Sequence, residues 1–197
     1  DITPELALKI IRECTINPWY YFREVARAPA RGTSQPPKLR ANRANISLWW
    51  SFFNHIQYFL IQPRQTGKSL STDVLMIYLM QIRCRNTKFS LLTKDDALRT
   101  QNVQRIKDLM DDLPRYIDQR RRTDANNGEK ITVDALGNEY LTFVPQASEK
   151  RALNLGRGVT TGVFHTDEPP FCVNIAVSLP AALASMGAAV EAAKENN

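Results

Sequence analysis

A near-continuous apolar run at residues 57–62 (QYFLIQ) gives way to a short polar turn, Pro63-Arg64-Gln65-Thr66-Gly67-Lys68-Ser69. A stretch over residues 68–82 follows, with Leu70, Val74, Ile77 and Tyr78 on one helical face. The first run has the composition of a strand buried on both faces, and the second has helical period. A strand that turns so abruptly into a helix must lay that helix back against its own sheet, which predicts a mostly parallel α/β layer. The turn also gathers positive partial charge, because the first N–H groups of a helix lack intrahelical partners and successive loop amides point the same way. Phosphate fits such a place. The segment Gln62–Ser69 meets the pattern G-x-x-x-x-G-K-[ST] except that Gln62 stands at the first glycine. It is read as a phosphate loop of Gln62, Pro63, Arg64, Gln65, Thr66, Gly67, Lys68 and Ser69, with Lys68 expected on the β- and γ-phosphates of ATP and the Ser69 hydroxyl on Mg²⁺.

The rest of the chain repeats the strand–helix alternation. Residues 88–93 (KFSLLT) read as a second buried strand, and residues 95–113 as an amphipathic helix with Leu98, Ile106, Leu109 and Leu113 on its stripe and Pro114 as its stop. Residues 131–133 and 140–144 flank Asp134-Ala135-Leu136-Gly137-Asn138 as a hairpin, residues 162–166 form a last strand, and an Ala-rich helix runs from Ser178. Before the phosphate loop, residues 4–13 place Leu6, Ile10 and Ile11 at helical spacing up to Asn17-Pro18, and residues 28–45 are a Pro-, Gly-, Ser- and Arg-rich linker. The expected organisation is a helical extension over residues 1–45 and an α/β core over residues 46–197.

The last strand leads into Asp167-Glu168, about a hundred residues after Lys68. A phosphate loop needs such a pair: Asp167 to hold the hydration shell of Mg²⁺ and Glu168 to polarise a water for attack on the γ-phosphate. An acidic pair before Pro169-Pro170 is also an ordinary turn, and the loop upstream is what lifts it to an ATPase reading.

Charge and cysteine content narrow the setting. The formal net charge of +6 suits a partner that carries phosphates, without requiring one. Cys14, Cys84 and Cys172 are odd in number and far apart, which argues for reduced, partly buried thiols over a disulfide framework or a zinc site. Residues 46–61 (ISLWWSFFNHIQYFLI) are too short for a membrane span and are broken by Asn54, His55 and Gln57, so a buried helix running into a buried strand is expected. No signal peptide stands at the N-terminus, and the chain is read as soluble, cytoplasmic and without membrane contact. His55 and His165, in apolar runs without partners at ligand spacing, read as core or strand-end residues. Arg120-Arg121-Arg122 is a solvated loop or a DNA contact.

Taken in order, these elements resemble the N-terminal ATPase domain of the large terminase subunit of tailed bacteriophages. Arg64-Gln65 before Thr66-Gly67-Lys68-Ser69 looks like the R-Q-x-G-K-[ST] variant of the phosphate loop in that family. The strand KFSLLTK with its long helix is similar to the second family element, and Arg157-Gly158, ten residues before Asp167, looks like its Arg-Gly step. The resemblance covers about residues 45–172. It implies a P-loop NTPase core of the RecA/ASCE-like kind, a mostly parallel sheet flanked by helices, which hydrolyses ATP with Mg²⁺ to drive double-stranded DNA into a procapsid in the host cytoplasm. The implied partners are further copies of the chain in a ring, the portal protein and the small terminase subunit. By the same resemblance Lys68, Glu168, Arg64 and Arg157 are the catalytic set and Ser69 and Asp167 the metal contacts. Arg64 would touch the γ-phosphate of its own subunit and Arg157 that of a neighbour, unless Arg157 is a structural arginine. Arg43, Asn45, Trp49 and Phe53 fall where the family contacts adenine, although Trp49, Trp50, Phe52 and Phe53 also suit a core. The further strand with a Thr/Ser-rich coupling motif and the nuclease domain of the family are not seen in these residues, so no nuclease activity is expected of them. A helicase-like translocase and a nucleotide-binding assembly subunit without hydrolysis remain as alternatives.

Overall fold

The computed structural model describes residues 2–29, 36–56, 60–63, 66–145, 148–152 and 160–195. The chain divides into two compact units, one of Asp1–Arg83 with Arg105–Gln119 and one of Cys84–Gln104 with Arg120–Asn197.

The first unit is helical. Thr3 caps α1 (Pro4–Ile16), its hydroxyl accepting the Leu6 N–H at 3.3 Å, and Pro4 sits in the first turn, where its missing N–H costs nothing. Pro18 opens the short α2 (Pro18–Tyr20), which runs on as one π-helical turn, Tyr21–Val25, and buries Tyr21, Phe22 and Val25. Asn42 and Asn45 form a reciprocal cap at the start of α3 (Arg43–Phe53): each side-chain oxygen accepts the other residue's backbone N–H, at 3.0 and 2.7 Å. Then α4 (Lys68–Tyr78) continues as a π-helical turn, Leu79–Arg83.

Aromatic rings make the centre of this unit. Phe22 stacks on Trp49 with centroids 4.1 Å apart and planes 8° from parallel, and Tyr78 lies against Tyr21, Phe22 and Phe53 at 5.1, 5.5 and 6.0 Å. The Tyr78 hydroxyl donates to the Cys14 carbonyl at 3.1 Å, and burial pushes the Cys14 thiol up to about 11, with the Glu13 carboxylate adding to it. The apolar face expected of residues 68–82 is wider than one stripe, since every residue from Ser71 to Ile82 is buried. That includes Asp73, whose carboxylate is met by the Arg105 guanidinium.

Three sequence expectations change here. In the run at residues 57–62, residues 57–59 lie outside the described residues, and residues 60–62 are irregular, with Ile61 92 % exposed. Trp50 points away from the core that its neighbour Trp49 joins and is 51 % exposed, because adjacent helical residues face directions about 100° apart. His55 is an exposed residue with φ +56° just past α3, not a core histidine.

The second unit holds a four-stranded sheet: β1 (Lys88–Thr93), β2 (Lys130–Val133), β3 (Asn138–Phe143) and β4 (Val163–Asp167), in the order β2-β3-β1-β4. β2 and β3 are the expected antiparallel hairpin, and β1 runs parallel to both β3 and β4, so the sheet is mixed and mostly parallel, with helices around it. α5 (Asp96–Asp111) begins in this unit and ends in the first; α6 (Glu149–Ala152) and α7 (Ile175–Glu195) complete the helices among the described residues. β1 is central and buried from Phe89 to Thr93, and both its buried hydroxyls are partnered, Ser90 by the Thr161 hydroxyl at 2.8 Å and Thr93 by the Asp95 carbonyl at 3.1 Å. In the hairpin, Gly137 has φ +67°, a conformation that strains a residue with a side chain, and a β-carbon there would also have to displace the Asn86 side-chain oxygen, 2.2 Å away. Among the described residues no helix is long and apolar enough to cross a membrane.

Replacing Trp49 by Ala is expected to cost about 3–5 kcal/mol, the range for deleting a buried large aromatic. Trp50→Ala is expected to stay within about 0.5 kcal/mol of the parent, as exposed substitutions do. Urea titration followed by far-UV circular dichroism measures both, and equal losses would contradict the packing described.

Candidate functional site

Of the expected phosphate loop, Gln62, Pro63, Thr66, Gly67, Lys68 and Ser69 are described, whereas Arg64 and Gln65 lie outside the described residues. The Thr66 hydroxyl is shared between the Gln62 side-chain oxygen at 3.1 Å and the Pro63 carbonyl at 2.9 Å. Gln62, at the position of the missing first glycine, therefore closes the loop with its side chain. Gly67 is the residue before α4 and has φ +80°, ψ +16°, a left-handed conformation that a residue with a β-carbon adopts only at a cost. Glycine also brings no side chain to cap the helix, so the first amides of α4 are not closed off by their own N-cap. The Gly67 carbonyl is turned down the helix, where it accepts the Ser71 N–H at 2.9 Å and the Ser71 hydroxyl at 2.7 Å. Lys68 and Ser69, the first two residues of α4, are half-buried. A helix N-terminus, a lysine and a serine hydroxyl are groups that a polyphosphate can use, and the serine oxygen is a hard ligand of the kind Mg²⁺ takes.

The acidic pair belongs to the second unit. Asp167 closes β4, stands in parallel register beside Thr93 at the end of β1, and is 8 % exposed. Ligands of open α/β sheets gather outside the carboxyl ends of parallel strands, and both strands end here. Asn102, buried on α5, donates its side-chain N–H to Asp167 Oδ2 at 3.2 Å. Glu168 then takes φ +55°, ψ +47°, a left-handed conformation rare for a residue with a β-carbon and disfavoured again by the proline that follows. Lys94, the residue after β1, meets Glu168 Oε2 at 2.7 Å as an ion pair and lies 5.8 Å from the centroid of the exposed Phe171 ring. Cys172 is buried nearby. Burial, then the Asp167 and Glu168 carboxylates, push its thiol up from the ordinary range, so it stays protonated and unreactive at neutral pH.

Of the other expected site residues, Arg157 lies outside the described residues. Asn45 and Trp49, candidates for adenine contact, are buried and bonded within the protein; Arg43 is exposed and Phe53 half-buried. His165 is half-buried on β4. Among the described residues no three His, Cys, Asp or Glu side chains gather as a metal cage. A magnesium ion that shares oxygens with a triphosphate and water needs only one or two protein ligands.

Asn102 and Lys94 were missed at the level of sequence. Asn102 had a signal: it sits four residues after Leu98 and four before Ile106, an amide on the apolar stripe of the helix. Lys94 had none beyond its place at a strand end.

Asn102→Ala is expected to lower stability by about 1.5–3 kcal/mol, the range for a hydrogen bond to a charged group. Asn102→Asp sets two carboxylates side by side and is expected to be worse at pH 7. Repulsion raises the pKa of one of them in the folded state, so this extra loss should shrink as pH falls through that raised value. Thermal melting of the three proteins at pH 7 and pH 5 checks the order; a loss for Asn102→Asp that does not depend on pH would contradict the contact. No protein-family model matches the chain, and no curated protein does.

Proposed function

We propose that this chain is an ATP-hydrolysing P-loop domain of the RecA/ASCE-like kind, and that it belongs to a viral motor that packages double-stranded DNA. The observation that supports the reading most is the acidic pair at the carboxyl end of a parallel strand, with Glu168 in a left-handed conformation of the kind that clusters at active sites. The left-handed Gly67 ahead of a helix that starts Lys68-Ser69 and has no side-chain cap from its N-cap residue supports the phosphate-binding half. The motor assignment rests on the sequence resemblance to large terminase subunits.

In this reading the α4 amides and Lys68 would bind and orient the triphosphate, Ser69 would offer its hydroxyl to Mg²⁺, and Asp167 would serve as an acidic metal contact. The metal neutralises charge on the phosphate oxygens when bound. Glu168 accepts a proton from the attacking water and so raises its nucleophilicity. Arg64 and Arg157 offer planar, permanently charged guanidinium groups to the transferring phosphoryl group, Arg64 in its own subunit and Arg157 in a neighbour's. A role for Arg157 across subunits makes the working form a homo-oligomeric ring. Double-stranded DNA, the portal protein and the small terminase subunit are its partners, and the host cytoplasm is its place of action.

Phosphate release from Mg-ATP by the purified chain tests the reading. Lys68→Ala is expected to abolish turnover and to weaken nucleotide binding. Glu168→Gln should keep binding and lose about 10²–10⁴-fold in kcat, the usual contribution of a general base. Turnover of the parent should rise more than linearly with protein concentration, and Arg157→Ala should remove that rise. Nucleotide binding with phosphate release unchanged in Glu168→Gln would replace hydrolysis by the alternative of a nucleotide-binding assembly subunit.

A further inference from the structure

Ser71 lies one helical turn inside α4, is 2 % exposed and carries more hydrogen bonds than its place requires. Its hydroxyl donates to the Gly67 carbonyl at 2.7 Å, accepts from the Asn45 side-chain N–H, and its carbonyl accepts the Trp49 indole N–H at 3.0 Å. Asn45 and Trp49 both come from α3, and all four residues belong to the first unit. The amide of Asn45 is itself fixed, because its oxygen accepts the Asn42 N–H at 2.7 Å, and that leaves the nitrogen end facing Ser71. With a donor already on the Ser71 oxygen, the hydroxyl hydrogen is directed to an acceptor, and the Gly67 carbonyl is the one within reach.

We propose that Asn45 is a positioning residue for the phosphate loop, acting through Ser71. The inference rests on the reading of residues 62–69 as a nucleotide site. Its physical core is the planarity of the peptide between Gly67 and Lys68: in a trans peptide the carbonyl and the N–H point in opposite directions. Holding the Gly67 carbonyl down the helix therefore aims the Lys68 N–H out of the helix N-terminus, toward a bound anion. Glycine does not hold this orientation by itself, since it visits left- and right-handed conformations almost equally. The second donor on the Gly67 carbonyl, supplied by Ser71 and set by Asn45, narrows that freedom before the ligand arrives. Such preorganisation acts on affinity more than on the chemical step. Asn45, placed where adenine contact was expected, thus serves the triphosphate end from behind the loop.

The test measures binding of a fluorescent ATP analogue with Mg²⁺, together with kcat at saturating ATP, for Asn45→Ala, Ser71→Ala and the double variant. Each single substitution is expected to raise Kd by about tenfold, the size of one well-made hydrogen bond, with kcat changed by less than about threefold. The double variant should be little worse than either single one, because both break the same relay. Tyr78→Phe, which removes a buried hydrogen bond of the same unit away from the loop, controls for general loosening and should leave Kd unchanged. Wild-type affinity in Asn45→Ala and Ser71→Ala, with Lys68→Ala defective, would overturn the relay and leave the nucleotide site standing. A shift in Tyr78→Phe equal to theirs would reduce the relay to plain stability and overturn it as well. A parent protein that binds no nucleotide would overturn both readings.

Discussion

The first unit depends on keeping α4 dry without leaving any of its polar groups unsatisfied. From Ser71 to Ile82 the chain has no exposed face, and burial of a hydroxyl, an amide or a carboxylate costs several kcal/mol unless each finds a partner. Each polar residue on that stretch has one. Ser71 is engaged by Asn45 and bonds to the carbonyl of Gly67; the Thr72 hydroxyl donates to the Lys68 carbonyl at 3.2 Å; the Asp73 carboxylate meets Arg105; and Gln81 accepts the Gln119 N–H at 2.9 Å. These bonds tie α4 to α3, to the Arg105 end of α5 and to the segment after it. A helix held by directed bonds on several sides has one rotation about its axis that satisfies all of them, and that rotation sets where Gly67, Lys68 and Ser69 face.

The second unit meets a different constraint. The strands of a parallel pair are covered on both faces, and β1 is covered so and has a paired strand on each side. Its pairing with β4 brings Thr93 and Asp167 level at the same end of the sheet, so the register of two strands fixes the depth of the first acidic residue. Asn102 then orients the Asp167 carboxylate from α5.

Much of this was legible in the sequence, and the reasons differ by element. β1 and the hairpin strands were readable because short apolar or alternating runs were bounded by turn residues, and α5 because its stripe kept helical period until a proline. The run at residues 57–62 looked no different from β1 by composition. Composition, though, reports only a wish for burial, and Ile61 goes against it. Trp49 and Trp50 are identical and adjacent, so only the rotation of α3 tells which is core. Asn45, Ser71, Asn102 and Lys94 act through partners distant in the chain, and no spacing within one element encodes such a pair. The acidic pair itself was visible, but the left-handed backbone of Glu168 was not, since a proline after it argues locally for an extended residue.

That conformation is a sharp local conflict, and its size shows what sustains it. A left-handed residue with a side chain costs about 1–3 kcal/mol when the surroundings enforce it. The ion pair with Lys94 joins two groups that each keep roughly a third of their exposure, and a pair of that kind contributes about 0–1 kcal/mol. The contact of Lys94 with the Phe171 ring adds about 0.5–1 kcal/mol at an exposed site. Together they reach only the lower part of the cost, so the backbone on either side must supply the rest. On one side Asp167 is locked into the ladder with β1. On the other the turn Pro169–Phe171 has its φ angles set by two prolines and closes by the Phe171 N–H donating to the Glu168 carbonyl at 3.0 Å. Glu168 is thus presented by the ends of two rigid segments, and Lys94 meets a carboxylate whose place the main chain has already chosen.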